Sequence, residues 1–239
     1  MQLEAIKVVL FDTFGTLVDW CGSIASLGQR LATEKGINGV DWDAFARAWR
    51  AGYRPGMERV QSGQRPWTPL DVIHSERLDE ILPEFGLGST FTEEEKADIN
   101  LFWHRLDPWP DSFAGLNRLK RRYLISPLSN GSLFLLVSIA RRAGLPWDFI
   151  LCSDTFKAYK RDDAVYLGAI NILGLAPQEI MLVAAHNDDL ASARSHGMMT
   201  AYVNRSTEYG PDQVRDFEAE EDWDVIAETV EELAEKMGT

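Results

Sequence analysis

The sequence predicts an α/β protein: a doubly wound parallel sheet, Rossmann-like, that carries an inserted helical cap domain. From residue 111 onward, short apolar runs alternate with helical segments, which is typical of a parallel sheet. Between residues 20 and 105, helical segments follow one another without a convincing strand. A helical block that interrupts a sheet after its first strand is most simply a cap. We therefore expect a core at 1–19 and 106–239 and a cap at 20–105.

The first strand is predicted at about residues 7–11, in the stretch VVLFDTFGTLVD. Four apolar residues followed by a polar residue and a glycine indicate a buried strand that ends at a functional loop. Ligands bind beyond the carboxyl ends of the strands in open α/β sheets. Asp12 is therefore a candidate nucleophile, base or metal ligand, and a capping role after the strand is the alternative.

Four helices are predicted in the cap, at residues 23–35, 42–59, 69–85 and 92–106. Thr68 before Pro69 is typical of an N-cap followed by proline at the first helical position. Thr92 and Glu95 have the spacing of a capping box. These signals predict where the third and fourth helices begin.

The second half of the chain alternates between the two element types. Helices are predicted at 111–122, 133–143, 163–173 and 189–196, and strands at 123–126, 149–152, 180–183 and 200–203. The site is expected between this sheet and the cap.

Composition and charge limit the partners of the chain. A net charge of −13 over 239 residues argues against nucleic acids and anionic membranes, since no basic surplus is available to displace counterions. Cys21 and Cys152 have no metal-like spacing and predict neither a disulfide framework nor a zinc site. No signal-peptide pattern and no membrane-spanning apolar run occur, so a cytoplasmic enzyme is expected.

Polar residues follow four separate predicted strands. Asp12 follows the first, Ser129 and Asn130 the second, Lys160 the third after a short loop, and the run AAHNDD at 184–189 the fourth. Each has an ordinary alternative as a turn residue, a solvated charge or a helix cap. The carboxyl ends of parallel strands share one edge, so we expect these loops to converge.

The motifs DTFGTLVD, LSNGS, KRDDAVY and VAAHNDDLASAR resemble those of the haloacid dehalogenase superfamily, and specifically its L-2-haloacid dehalogenase (type II) branch. This resemblance implies that Asp12 is a carboxylate nucleophile. Phosphatases of the superfamily carry a second aspartate two positions after the nucleophile, as a proton donor, and a Gly-Asp pair that helps to hold magnesium. This chain has Phe14 in the first place and Ala184-Ala185 in the second.

A phenyl ring cannot donate a proton and a methyl group cannot ligate magnesium, so the leaving group needs neither an acid nor a metal. A halide fits this requirement. The resemblance then implies a hydrolytic dehalogenase that converts short (S)-2-haloalkanoic acids into (R)-2-hydroxy acids through an aspartyl ester, without a metal or cofactor. A magnesium-dependent phosphatase, a non-catalytic relative and a hydrolase of another activated electrophile are the alternatives.

The resemblance also implies roles for the residues around Asp12. Thr16 matches the threonine that hydrogen-bonds the nucleophile, and Lys160 matches the lysine that balances its charge. Ser129 matches the residue near the substrate carboxylate, and Asn130 matches the residue near the departing halide. Tyr166 matches the tyrosine partner of the lysine.

The remaining assignments concern water, the halide and the wall of the pocket. Asp189 matches the carboxylate that activates water. Arg50 is assigned as the halide-releasing arginine of the cap, with Arg47 and Arg54 as alternatives. Phe14 is expected to form an apolar wall. His186 replaces an amide of the branch and is expected to orient Asp189 or water, to contact substrate, or only to pack; a homodimer is left open.

Overall fold

The computed structural model describes residues 3–210 and 213–239, and in these ranges six strands form one parallel sheet. In chain order the strands are β1 (Val8–Phe11), β2 (Val18–Asp19), β3 (Asp107–Pro108), β4 (Leu124–Ser129), β5 (Leu151–Cys152), β6 (Ile180–Ala184), β7 (Met199–Val203) and β8 (Val225–Ala227). The sheet has the order β5-β4-β1-β6-β7-β8, and β2 and β3 form a separate antiparallel ribbon. The predicted fold class is confirmed.

Strand β1 lies in the interior of the sheet and places Asp12 at its carboxyl edge. It pairs with β4 on one side and β6 on the other, with Val8 opposite both Leu124 and Ile180. All four of its residues are buried, as expected for a parallel strand covered on both faces. The Asp12 amide donates to the Val183 carbonyl at 2.9 Å, so the backbone of this residue is held by the neighbouring strand.

The helices lie on both faces of the sheet and in the cap. They are α1 (Trp20–Lys35), α2 (Trp42–Ala51), α3 (Tyr53–Gln61), α4 (Leu70–Glu84), α5 (Glu93–Asn100), α6 (Ser112–Leu119), α7 (Leu133–Ala143), α8 (Ser153–Phe156), α9 (Asp163–Leu173), α10 (Asn187–Ser195) and α11 (Val230–Lys236). A short 3-10 helix, Leu101–His104, follows α5. Helices α1 to α5 form the helical block predicted between the first strand and the rest of the sheet.

The single helix predicted at 42–59 is two helices, and this prediction was wrong. Helix α2 ends before Gly52, whose amide donates to the Trp49 carbonyl three residues earlier and thereby tightens the turn. A Cβ at Gly52 would lie 2.4 Å from Cγ of Arg77 in α4. The break therefore occurs where a crossing side chain leaves no room for a β-carbon.

The predicted start of α4 was wrong by one residue, whereas that of α5 is confirmed. Helix α4 begins at Leu70 with Pro69 at the N-cap, and the Thr68 hydroxyl donates to the Pro66 carbonyl at 2.9 Å instead of accepting from the helix. In α5 both bonds of the capping box are present: the Glu95 amide donates to the Thr92 hydroxyl, and the Thr92 amide donates to the Glu95 carboxylate.

The ribbon of β2 and β3 lies where the chain leaves the sheet for the cap and where it returns. Val18 pairs with Pro108 and Asp19 with Asp107. The Asp19 carboxylate also accepts from the Gly22 amide and caps α1. Sequence patterns did not predict this ribbon, because each strand has only two residues and no alternation can be read from two positions.

The last strand, β8, was also not predicted. It has three residues, Ile226 at its centre is exposed, and acidic residues precede it. Pairing with β7 rather than local pattern makes it a strand. No helix in the described ranges is long and apolar enough to cross a membrane.

One apolar cluster extends from the sheet into the cap. The indole rings of Trp20, Trp49 and Trp103 are fully buried in it, and Trp103 packs edge-on to Phe14 with ring centroids 6.0 Å apart. This packing places the cap helices directly over the carboxyl end of β1.

Candidate active site

A cavity of about 560 Å³ lies between the carboxyl edge of the sheet and cap helices α2 and α3. Loops after β1, β4, β5 and β6 contribute Asp12, Asn130, Lys160 and His186 to its lining. These loops are the four that the sequence predicted to converge. The cap contributes Tyr53, whose ring packs against Phe14, and several arginines, among them Arg50.

Asp12 is nearly buried and is contacted by three donors. Its Oδ2 accepts from the Thr16 hydroxyl at 2.9 Å and lies 3.2 Å from Nδ1 of His186, while its Oδ1 accepts from the Lys160 ammonium at 3.2 Å. Burial by itself raises the pKa of Asp12, but Lys160 and His186 together outweigh burial and hold this pKa well below its usual value. The carboxylate at the end of β1 is therefore ionised.

Thr16 fixes the orientation of that carboxylate. Its hydroxyl donates to Asp12 and accepts from the Ala185 amide at 2.9 Å, which uses both its donor and an acceptor site. The residue is fully buried. Thr16 therefore connects the loop after β1 to the loop after β6.

Lys160 bridges two carboxylates inside the protein. Its ammonium group is fully buried and lies 2.7 Å from Oδ2 of Asp189 and 3.2 Å from Oδ1 of Asp12. Burial alone lowers the pKa of Lys160, but Asp189 and Asp12 raise it above its usual value. The Lys160 amide also donates to the Asn130 side chain at 2.7 Å, so the backbone is held in place as well.

Asp189 and Tyr166 lie behind Lys160 and not at the cavity wall. Asp189, in the first turn of α10, is 0% exposed, and its Oδ1 accepts from the Tyr166 hydroxyl at 2.7 Å. Burial raises the pKa of Tyr166, and Asp189 raises it further, so the phenol stays protonated and donates. Neither residue lines the cavity.

Ser129 and Asn130, predicted together, are separated by the structure. Asn130 lines the cavity, and its carbonyl oxygen is used by the Lys160 amide. Ser129 is buried at the end of β4, and its hydroxyl accepts from the Gly131 amide at 3.3 Å. Ser129 does not line the cavity, so the structure places it against the loop backbone.

Arg50 lies at the end of α2 within a group of aromatic rings. Its guanidinium is 3.8 Å from the Tyr53 ring centroid, 5.5 Å from that of Trp20 and 5.8 Å from that of Phe14. Burial lowers the pKa of Arg50, but the hydroxyl of Tyr53 and other groups raise it, and the cation persists. Among the described residues, its buried Nη1 has no hydrogen-bond partner. A buried, charged donor without a partner is suited to an anion.

The two alternative arginines also line the cavity but differ from Arg50 in environment. Arg47 is exposed, and Arg54 is 62% exposed and paired with Glu58 at 3.3 Å. Arg50 therefore differs from both in having a buried guanidinium nitrogen without a hydrogen-bond partner among the described residues. Phe14, 2% exposed, lines the cavity with its ring packed against Tyr53; its role as an apolar wall for the substrate stays a prediction.

His186 contacts two carboxylates, one of which the sequence did not predict. Its Nδ1 lies 3.2 Å from Asp12, and its Nε2 lies 2.9 Å from Oε2 of Glu208. Burial lowers the pKa of His186, but Glu208 and Asp12 raise it well above its usual value. Glu208 is 1% exposed, and its other oxygen accepts from the Trp20 indole at 2.8 Å. No motif or spacing indicates Glu208, because it follows β7 and is far along the chain from every other site residue.

The donor set does not fit magnesium. The space between Asp12 and Asp189 is filled by the Lys160 ammonium, and Ala184 and Ala185 supply only methyl groups. A hard divalent cation needs several oxygen ligands. Within the described ranges, no group of three or more histidine, cysteine, aspartate or glutamate side chains is arranged to hold a metal.

Several known proteins are similar to this chain. The family model of haloacid dehalogenase-like hydrolases matches residues 6–197. A crystal structure of an L-2-haloacid dehalogenase has a TM-score of 0.93 and 46% identity, covering 97% of this chain and 98% of that chain. A defluorinating L-2-haloacid dehalogenase has a TM-score of 0.94 and 43% identity, covering 98% of this chain and 96% of that chain. An (S)-2-haloacid dehalogenase of Pseudomonas sp. (strain YL) is 33% identical over 208 residues, 85% of either chain.

Proposed function

The chain belongs to the haloacid dehalogenase-like hydrolase family, and within that family we propose that it is an (S)-2-haloacid dehalogenase. It hydrolyses the carbon–halide bond of short (S)-2-haloalkanoic acids and forms (R)-2-hydroxy acids. The two similar solved structures, both L-2-haloacid dehalogenases that align with nearly the whole chain, support this substrate class.

One arrangement supports the proposal: an ionised carboxylate and a guanidinium with one buried, unpartnered nitrogen face the same cavity, with a phenyl ring where a proton donor would stand. Asp12 is the anion, Arg50 is the cation, and Phe14 is the ring. A carboxylate attacks carbon, a guanidinium receives the departing anion, and a halide needs no proton to leave.

In the first step, an oxygen of Asp12 attacks C2 of the substrate from the side opposite the halogen. The carbon–oxygen bond of an ester forms, the carbon–halogen bond breaks with its electron pair, and configuration at C2 inverts. Thr16 and Lys160 hold the carboxylate in one orientation, which lowers the entropic cost of reaching the reactive geometry. Arg50 and Asn130 lie where they can contact the halide as charge develops on it.

In the second step, water attacks the Cγ atom of the Asp12 ester. The bond between Cγ and the alkyl oxygen breaks, which releases the hydroxy acid and regenerates the carboxylate. This step needs a base, the role that the family resemblance gives to Asp189. Lys160 beside Asp12 stabilises negative charge as it develops on the carbonyl oxygen.

The magnesium-dependent phosphatase is less well supported. Expulsion of an alkoxide from phosphorus would lose a general-acid contribution of roughly 10²–10⁴ in rate at Phe14. Magnesium would also lose an oxygen ligand at Ala185. A non-catalytic relative would not need the intact set of Asp12, Lys160 and Asp189.

A halide-release assay tests this function. We expect the chain to release chloride from chloroacetate and (S)-2-chloropropionate, with much weaker release from the (R) enantiomer, and to keep these rates in excess EDTA. The Asp12→Asn variant should release no halide, because its amide cannot form the ester. Loss of activity in EDTA that magnesium restores would overturn the proposal, as would hydrolysis of a phosphate monoester in place of any haloacid.

The cap boundaries, a cytoplasmic location and a homodimer stay predictions. We propose that the cap comprises residues 20–105, since the ribbon of β2 and β3 lies at both of its ends. Limited proteolysis tests the boundaries, because linkers between domains are cleaved before packed elements.

A further inference from the structure

We propose that His186, oriented by Glu208, is the base that activates water for hydrolysis of the Asp12 ester, and that Asp189 acts as a positioning residue for Lys160. This inference rests on the dehalogenase function proposed above and concerns only its second step.

His186 lies beside the position that the attacking water must occupy. Its ring lines the cavity, and its Nδ1 lies 3.2 Å from Oδ2 of Asp12. A water molecule that attacks Cγ of the Asp12 ester lies beside that carboxyl group on the cavity side. A base needs to be within hydrogen-bonding reach of the proton that it removes, and His186 meets this requirement.

Asp189 is not placed to meet the same water. It is 0% exposed and does not line the cavity. Both of its oxygens have donors at 2.7 Å: the Tyr166 hydroxyl on Oδ1 and the Lys160 ammonium on Oδ2. Such charge-assisted bonds are strong, and a proton taken up by Asp189 would weaken the bond that holds Lys160.

Glu208 is held so that it orients the His186 ring. Its Oε2 faces Nε2 of His186 at 2.9 Å, and its Oε1 accepts from the Trp20 indole at 2.8 Å. The loop after β1 leaves room for this carboxylate, since a Cβ at Gly15 would lie 2.1 Å from Oε1 of Glu208. With Nε2–H donating to Glu208, the lone pair of a neutral His186 is on Nδ1, towards Asp12. Asp12 as nucleophile, His186 as base and Glu208 as the orienting carboxylate thus form one hydrogen-bonded series.

The protons balance over one turnover. In the resting protein His186 carries a proton between two carboxylates. Ester formation removes the charge of Asp12, and His186 then releases this proton to solvent. The neutral Nδ1 takes a proton from water as the water oxygen bonds to Cγ, and gives it to the alkyl oxygen as the ester bond breaks. Asp12, left as a carboxylic acid, returns its proton to His186. The net products are hydroxy acid, halide and one proton.

The test compares His186→Phe, which keeps an aromatic ring but has no basic nitrogen, with Asp189→Asn in rapid-quench reactions with (S)-2-chloropropionate. Chloride released per active site and the mass of the Asp12 peptide are both measured. We expect His186→Phe to release about one chloride per site and then to slow by roughly 10²–10⁴, with the Asp12 peptide retaining the ester. Asp189→Asn should form the ester more slowly, because Lys160 loses a partner, and should not accumulate it.

Glu208→Gln provides the second variant. A glutamine amide can donate to Nε2 and thereby move the ring proton to Nδ1, where it blocks the base. We expect this variant to release about one chloride per site, to retain the ester on Asp12 and then to turn over slowly. Glu76→Gln is the matched control, since Glu76 is an exposed cap residue paired with Arg65, and it should behave as the wild-type protein.

The outcomes separate the two proposals. Absence of chloride release by the wild-type protein with any 2-haloacid overturns the dehalogenase function itself. The role of His186 is overturned if the wild-type protein turns over normally, Asp189→Asn retains the ester, and Glu208→Gln is as fast as the wild-type protein. The dehalogenase function is unaffected by that result. If His186→Phe gives no burst of chloride at all, Glu208→Gln decides: retained ester supports His186 as the base, and unchanged turnover refutes it.

Discussion

Replacing Lys160 with methionine removes the one positive charge that lies between Asp12 and Asp189. Methionine keeps a similar length and flexibility but has no charge. Because the Lys160 ammonium is fully buried, water cannot take its place readily, and two carboxylates remain facing each other in the interior. We expect the variant to lose both stability and halide release.

The magnitude follows from the burial of this group. Removing one partner of a buried ion pair costs about 3–5 kcal/mol, because the remaining charge is left uncompensated. For a domain of this size, each kcal/mol lowers Tm by roughly 2–4 °C, so a decrease of about 6–20 °C is expected. The matched control is Lys157→Met: Lys157 is 61% exposed, its contact with Asp154 is 3.7 Å, and surface pairs contribute about 0–1 kcal/mol.

The stability deficit should depend on pH with a definite sign. In the wild-type protein the pKa of Asp12 lies below its usual value, so its ionisation stabilises the fold above the unfolded pKa and this contribution is lost only as pH falls through the lowered pKa. Lys160 lowers the pKa of Asp12 and burial raises it, so without Lys160 this pKa is higher than in the wild-type protein. The carboxylate then contributes less stability at neutral pH than in the wild-type protein, and the deficit should narrow as pH falls through the pKa of Asp12 in the variant.

Chemical denaturation of the wild-type protein, Lys160→Met, Asp189→Asn and the double variant measures these effects as free energies of unfolding. The double variant should be more stable than the sum of the single effects predicts, by about 0.5–3 kcal/mol, since it removes one of the two carboxylate charges that Lys160 would balance. Additive effects, or a Lys160→Met deficit no larger than that of Lys157→Met, would refute the interpretation of Lys160 as a buried bridge.

Three further predictions concern the reaction. A single turnover in ¹⁸O-water with enzyme in excess should give unlabelled hydroxy acid and labelled Asp12 by mass spectrometry; labelled product would exclude the ester. Arg50→Met should lower kcat/KM for chloride release by about 10- to 100-fold, since a hydrogen bond to a charged group is worth about 1.5–3 kcal/mol. The exposed Arg47→Met should change it less, and the reverse order would move the halide contact to Arg47. The proton released on ester formation should appear in a pH-indicator burst of about one per site, which is absent from Asp12→Asn; a burst without halide would contradict the proposed cycle.

The sequence determined the fold class and which strand-end residues lie at one edge of the sheet, because those features depend on local pattern. Apolar runs and helical periodicity predict β1, α7 and α9 from neighbouring residues alone, and α7 and α9 have the predicted bounds. Parallel strands then force their carboxyl ends to one edge. Asp12, Asn130 and Lys160 meet there for that reason, without any knowledge of the cap.

Tertiary structure alone decided the surroundings of side chains that are equivalent in the sequence. Three arginines of the cap are close in sequence, but only the packing of α2 against the aromatic rings leaves Arg50 half-buried while Arg54 stays exposed. Ser129 and Asn130 are adjacent in sequence, yet the alternation at the end of β4 sends only Asn130 to the cavity.

Glu208 marks the limit of what the sequence determined. Its contacts, His186 and Trp20, are 22 and 188 residues away in the chain. A buried carboxylate is stable only where distant donors converge on it, and such convergence depends on how β7, the loop after β1 and the start of α1 pack together. Local sequence pattern predicts the helices, the strands and the residues at the strand ends, whereas contacts between distant segments exist only in the folded chain.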